Sequence, residues 1–113
     1  MARTKSIANP IEANELELYI TNEASLVHDD NSIGKAIERN LVRHIKAGRW
    51  NRAKATLAFM HLVEAGARKY AKEFDGDECF WKNFTKSTRM LVADSLAEAF
   101  WTEYQIQNPG AVQ

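Results

Sequence analysis

Residues 51–74, NRAKATLAFMHLVEAGARKYAKEF, decide the fold. Wound as an α-helix, this stretch gathers Phe59, Tyr70, Val63, Phe74, Ala67, Met60, Ala53, Ala71 and Leu57 on one half of its surface. That is the 3.6-residue period of an amphipathic helix. The other half is not uniformly polar, because Ala55, Ala58, Leu62 and Ala65 make a narrower apolar strip among Lys54, Lys69 and Lys72. A helix apolar on both sides is enclosed by its own neighbours or covered by a partner chain, so the strip is a candidate homodimer surface. At ~1.5 Å per residue the helix is ~36 Å long, the longest element of the chain.

Working back from it, Gly48 is a natural C-cap and Asn51 a natural N-cap, leaving a turn of about three residues. So short a link forces the helix before it, about Ile33 to Ala47, into contact with the central one. That helix is expected to bury Ile33, Ile37, Leu41 and Ile45. Asp29-Asp30-Asn31-Ser32 supplies turn and N-cap residues ahead of it. Residues 15–20, ELELYI, alternate like a strand, yet Leu16, Tyr19, Ile20 and Val27 also share a helical face. No second strand is available to pair with it, which favours a helix from about Ile11 to His28.

Beyond Phe74, Asp75-Gly76-Asp77-Glu78 reads as a turn, and Phe80, Trp81 and Phe84 crowd the connector as an aromatic plug on the core. Thr85 is a plausible N-cap for a last helix, Lys86 to about Gln107, with Leu96, Phe100, Ala93, Tyr104, Ala97, Met90 and Trp101 on one arc. Asn108-Pro109-Gly110 stops it. The expectation is an all-α, single-domain bundle of four main helices, with residues 1–10 and 108–113 as flexible tails.

The chain has 113 residues, 45% apolar and 27% charged, and one cysteine, Cys79. A lone cysteine makes no internal disulfide, which favours a reducing, cytoplasmic setting. No run approaches the ~20 apolar residues of a membrane span, and the N-terminus lacks the apolar core of a signal peptide. The net charge of zero hides a polarity. Residues 1–34 are net −4, residues 35–54 net +6, residues 55–74 net +1 and residues 75–113 net −3. Lys35, Arg39, Arg43 and Lys46 fall within ~80° of one helix face and are continued by Arg49 and Arg52. This basic face either pairs internally or serves a partner: an acidic protein surface, or nucleic acid through its phosphate backbone. A helix-turn-helix reading fails, because its recognition helix would be the most apolar element here.

The search for chemistry returns little. Nucleophile-elbow, phosphate-loop, dinucleotide, zinc-protease and C-x-x-C patterns are all absent. His61 and Glu64, three residues apart, could share a metal as in di-iron bundles, but a second such pair is missing and Glu64 is placed to pair with Arg68 instead. The Asp75–Glu78 run lacks the length and closing glutamate of a calcium loop. His44 and Asn40 sit at the apolar edge of their helix, where a hydrogen-bonded, half-buried histidine is expected. Glu23 falls in the apolar arc of the first helix and needs a partner, with an arginine of the basic segment the obvious one. No catalytic residue, metal or cofactor is expected.

In LYITN, LVEAGARKYAKEF, the tryptophan after it and the closing EAFWTEY, the chain resembles small helical proteins encoded by tailed phages and prophages. The similarity spans roughly Glu15 to Tyr104, and the run from His28 to Ser32 departs from the pattern. The resemblance brings no catalytic residues. It implies a mobile-element protein, acting in the host cytoplasm by binding and redirecting a macromolecule. A nucleic-acid-binding accessory protein is the alternative, and a metal-dependent enzyme centred on His61 and Glu64 the remote one.

Overall fold

A computed structural model describes residues 8–73 and 84–110. Among these residues five helices follow in order: α1 (Pro10–Thr21), α2 (Ala24–Val27), α3 (Ile33–Lys46), α4 (Arg52–Glu73) and α5 (Lys86–Gln107). Among the described residues no strand occurs, and residues 15–20 lie within α1. The protein is an all-α, single-domain fold. α4 packs most extensively on α5, with α1 against both, while α3 packs on the other flank of α4. Among the described residues no helix is long and apolar enough to cross a membrane.

Local sequence explains most boundaries. The Ser32 hydroxyl accepts from the Lys35 N–H, Asn51 Oδ1 from the Lys54 N–H at 3.0 Å, and Thr85 Oγ1 from the Thr88 N–H at 3.1 Å. Each supplies an acceptor to an otherwise unpaired first-turn donor. α3 closes with Gly48 N–H on the Ile45 carbonyl and Arg49 N–H on the His44 carbonyl, at 2.9 and 2.8 Å. Gly48 has φ +74°, the left-handed conformation that this closure requires. Gly48→Ala is therefore expected to cost about 1 kcal/mol, with no space constraint to add, because nothing lies within 4 Å of its would-be Cβ. A thermal melt showing no decrease in Tm would contradict it.

The first helix does not run through to His28. It stops at Thr21, Glu23 takes an extended conformation (φ −99°, ψ 106°), and the chain re-enters helix for one turn. Six residues of continuous helix would rotate Leu26 by ~240° from Ile20, away from the core. The break instead lets both bury near Gly66, where a Cβ would lie 2.8 Å from Ile20 Cδ1 and 3.6 Å from Leu26 Cδ1. Pro10 also does not belong to a tail: it opens α1, capped by the Asn9 side chain, and the Asn9 N–H donates to Thr88 Oγ1 at 3.0 Å.

The central helix buries a different arc from the one its composition suggests. Ala55, Thr56, Phe59, Met60, Leu62, Val63, Gly66, Ala67 and Tyr70 are buried, whereas Leu57 is 58% exposed and Ala53 is exposed. The buried arc is turned by roughly 60° toward Leu62. Leu62, at 1% exposure, is covered by the chain's own helices, Ala55 is fully buried, and Ala58 and Ala65 are partly so. The strip therefore belongs largely to the monomer's interior, which leaves little of it for an oligomer contact. In α3, Leu41 and Ile45 are buried and Ile37 partly so, but Ile33 is 40% exposed because the buried residue of that first turn is Gly34. Phe84 is buried edge-on to Tyr70, with ring centroids 5.3 Å apart. The remainder of the expected plug, Phe80 and Trp81, lies outside the described residues, as do Cys79 and Asp75–Glu78.

Candidate functional site

Because α3 and α5 both pack on α4 and make no extensive contact with each other, an open groove of about 1020 Å³ lies between them. Phe59 and Leu62 of α4 and Leu96 of α5 form its floor, and Phe100 and Tyr104 of α5 its apolar side. Lys35, Arg39 and Arg43 of α3 line the facing wall. Glu38 of α3 and Glu103 of α5 also border it, so the α3 wall is net basic and the α5 wall carries one acid. Val27, His28 and Gly34 line it at the start of α3.

The basic residues singled out by sequence divide into two sets. Arg52 leaves the free face altogether: it pairs with Asp94 at 3.0 Å and with Glu98, acids one turn apart on α5. Desolvation would lower its pKa, but the hydrogen bond to Glu98 and the charge of Asp94 outweigh that and raise it. The same Asp94 carboxylate accepts from the Thr56 hydroxyl at 3.2 Å, which ties the start of α4 to the middle of α5.

The other five keep their charge available. Arg39 donates to the Asp30 carbonyl at 3.1 Å, Arg43 to Asn40 Oδ1 at 2.8 Å, and Arg49 approaches His44 Nδ1 at 3.3 Å. None of these partners is a carboxylate. Among the described residues Lys35, Arg39, Arg43, Lys46 and Arg49 form no ion pair with a carboxylate. His44 is half-buried and hydrogen-bonded, as its edge position suggests. Arg49, Lys54, His44, Asn40 and Trp50 border a second, smaller pocket of about 240 Å³ at the α3–α4 corner. Trp50 stacks on Trp101, with centroids 4.2 Å apart and planes 7° from parallel, which fixes this corner against α5.

The residues considered for chemistry are dispersed. His61 is exposed, and Glu64 faces Arg89 of α5 at 3.9 Å rather than Arg68 of its own helix. Among the described residues no group of three or more His, Cys, Asp and Glu side chains is placed to hold a metal ion. Glu23 is partly exposed and pairs at 3.8 Å with Lys69 of α4, not with an arginine of the basic segment. The same carboxylate oxygen accepts from the Ser25 hydroxyl at 3.2 Å. Tyr19 has a buried hydroxyl with no hydrogen-bond partner of good geometry. Burial first, and the nearby Glu73 carboxylate second, push its ionisation up, so it is a neutral packing group.

Sequence reasoning missed the groove. Its floor of Phe59, Leu62 and Leu96 is core, and only the separation of α3 from α5 leaves Phe100 and Tyr104 partly open beside it. No protein-family model, no curated protein and no solved structure matches the chain.

Proposed function

We propose that the protein is a non-enzymatic binding protein, of the kind small mobile elements encode, which engages a macromolecular partner through the basic face of α3 and the groove beside it. One observation carries this reading. Five cations on α3 and the following turn lack carboxylate partners among the described residues, while Arg52, next along the chain, is doubly paired. A fold that neutralises one arginine so fully and leaves the five before it unpaired keeps a directional positive surface, and such surfaces steer and orient partners. The resemblance to phage and prophage proteins makes a host macromolecule the natural target.

The test is Arg39→Glu, Arg43→Glu and Lys46→Glu combined. All three are exposed, so helix content and Tm are expected to change little. A partner captured from host lysate, identified by mass spectrometry and then purified, is expected to bind the triple variant at least about tenfold more weakly. Unchanged affinity would show that the face is merely solvated.

One observation favours a nucleic-acid target instead: the cations continue past α3 into the corner pocket bordered by His44, Arg49 and Lys54. Phosphate contacts release counterions, so binding that is insensitive to salt would remove this second reading.

A further inference from the structure

We infer that the groove receives an amphipathic helix of about three turns from a partner protein, apolar stripe downward and carboxylates along the edge that faces α3. This rests on the reading of the basic face given above and names the partner's form and chemistry. Shape comes first. The groove is lined from Gly34 to Arg43 on α3 and from Leu96 to Asn108 on α5, ~14 and ~18 Å at the helical rise, which is the length of about three turns. Two helices packed on a third, but not on each other, leave beside it the position that another helix fills in a bundle. An amphipathic helix laid into such a trough is a recurring mode of recognition.

Charge gives the polarity of the occupant. Lys35, Arg39 and Arg43 recur every fourth residue, ~6 Å apart, which is the spacing of acids at i, i+4 and i+8 on a helix lying alongside. Glu103 on the opposite wall disfavours acids on the far edge, so the occupant is acidic on one side only. Glu38 on the basic wall and the apolar floor count against a phosphate backbone in this position. Val27, Val42 and Phe100 are partly exposed and supply the contacts that the stripe would complete.

The experiment selects a displayed library of randomised twelve-residue helical peptides on the intact chain and depletes it on Ala99→Trp. Ala99 is exposed on the groove wall, so the indole blocks the trough without entering the core; should that variant unfold, Gln107→Trp on the same wall replaces it. Enriched peptides are expected to share apolar residues at i, i+3 or i+4 and i+7, with Asp or Glu every fourth residue on one edge. Their affinity is expected to fall at least about tenfold with either Ala99→Trp or Arg39→Glu/Arg43→Glu. No enrichment, or enrichment without acidic bias, would overturn the inference. Peptides weakened by the charge reversal but not by the block would leave the basic face standing and remove the groove occupant. Indifference to both variants would remove both. Self-association of the chain abolished by Ala99→Trp would assign the groove to a second copy, and a 20-base-pair duplex lost only on charge reversal would assign the face to nucleic acid. Either result replaces the helix.

Discussion

Leu62→Asp is expected to abolish cooperative folding, whereas Leu57→Asp, five residues earlier on the same helix, is expected to leave a folded protein. Leu62 is 1% exposed and belongs to the main cluster of buried side chains. Replacing it removes ~1.5–3 kcal/mol of apolar burial. It also places in the interior a carboxylate whose uncompensated burial costs several kcal/mol more, or forces the group to take up a proton. The groove's floor holds no lysine or arginine, and its cations, Lys35, Arg39 and Arg43, belong to the α3 wall. The total is comparable to the ~5–15 kcal/mol that holds a domain of this size together. Leu57, 58% exposed, meets none of these costs. Circular dichroism on heating is the measurement: a sharp transition for the wild type and Leu57→Asp, and none for Leu62→Asp. A folded, monomeric Leu62→Asp would mean that this side of α4 faces water, and dissociation of an oligomer would return it to an interface.

That pair of leucines also shows what the sequence made legible. Helix existence, and three of the N-caps, follow from strong periodicity flanked by Ser32, Asn51 and Thr85, and these elements sit where the pattern puts them. The orientation of α4 did not follow, because Gly66 and Thr56 are buried yet do not read as apolar. Ala53, Leu57 and Ala71 read as apolar but lie at or beyond the far edge of the buried arc. Composition thus drew the expected arc away from its true centre. The break after Thr21 was hidden for a similar reason, since Leu16, Tyr19, Ile20 and Val27 suit one continuous face equally well. Long-range charge pairs were only half legible. Asp94 and Glu98, one turn apart, could have announced a cation from a neighbouring antiparallel helix, but which cation depends on how α4 and α5 register. The groove depends on two helices failing to meet, and no periodicity encodes that.

Gly34→Val is expected to be the most damaging substitution at any glycine of the described chain. Gly34 is buried in the first turn of α3, and a Cβ there would sit 2.8 Å from the Leu26 carbonyl oxygen and 3.1 Å from Val27 Cα. Both neighbours are backbone, so the clash cannot be relieved by a rotamer change; α2 has to move away from α3. Overpacking of this kind costs ~1–3 kcal/mol for a single added group, and a β-branched side chain adds two more carbons in the same place. The gain of up to ~1 kcal/mol in helix propensity on leaving glycine offsets only part of it. A fall in Tm of roughly 10 °C or more is the expected reading. Gly66→Ala provides the contrast. Its Cβ would meet Ile20 Cγ1 at 2.5 Å and Cδ1 at 2.8 Å, side-chain atoms that can shift where a backbone cannot, so its loss should be the smaller one. Hydrogen exchange locates the damage: faster exchange confined to residues 24–33 would show α2 displaced, and an unchanged Tm and exchange pattern would mean that α2 does not dock on α3 as described. Gly34 and Val27 also line the groove, so the milder Gly34→Ala should weaken a groove-bound helix without altering a single charge. Loss of binding in that variant would separate the shape of the groove from the charge of its wall.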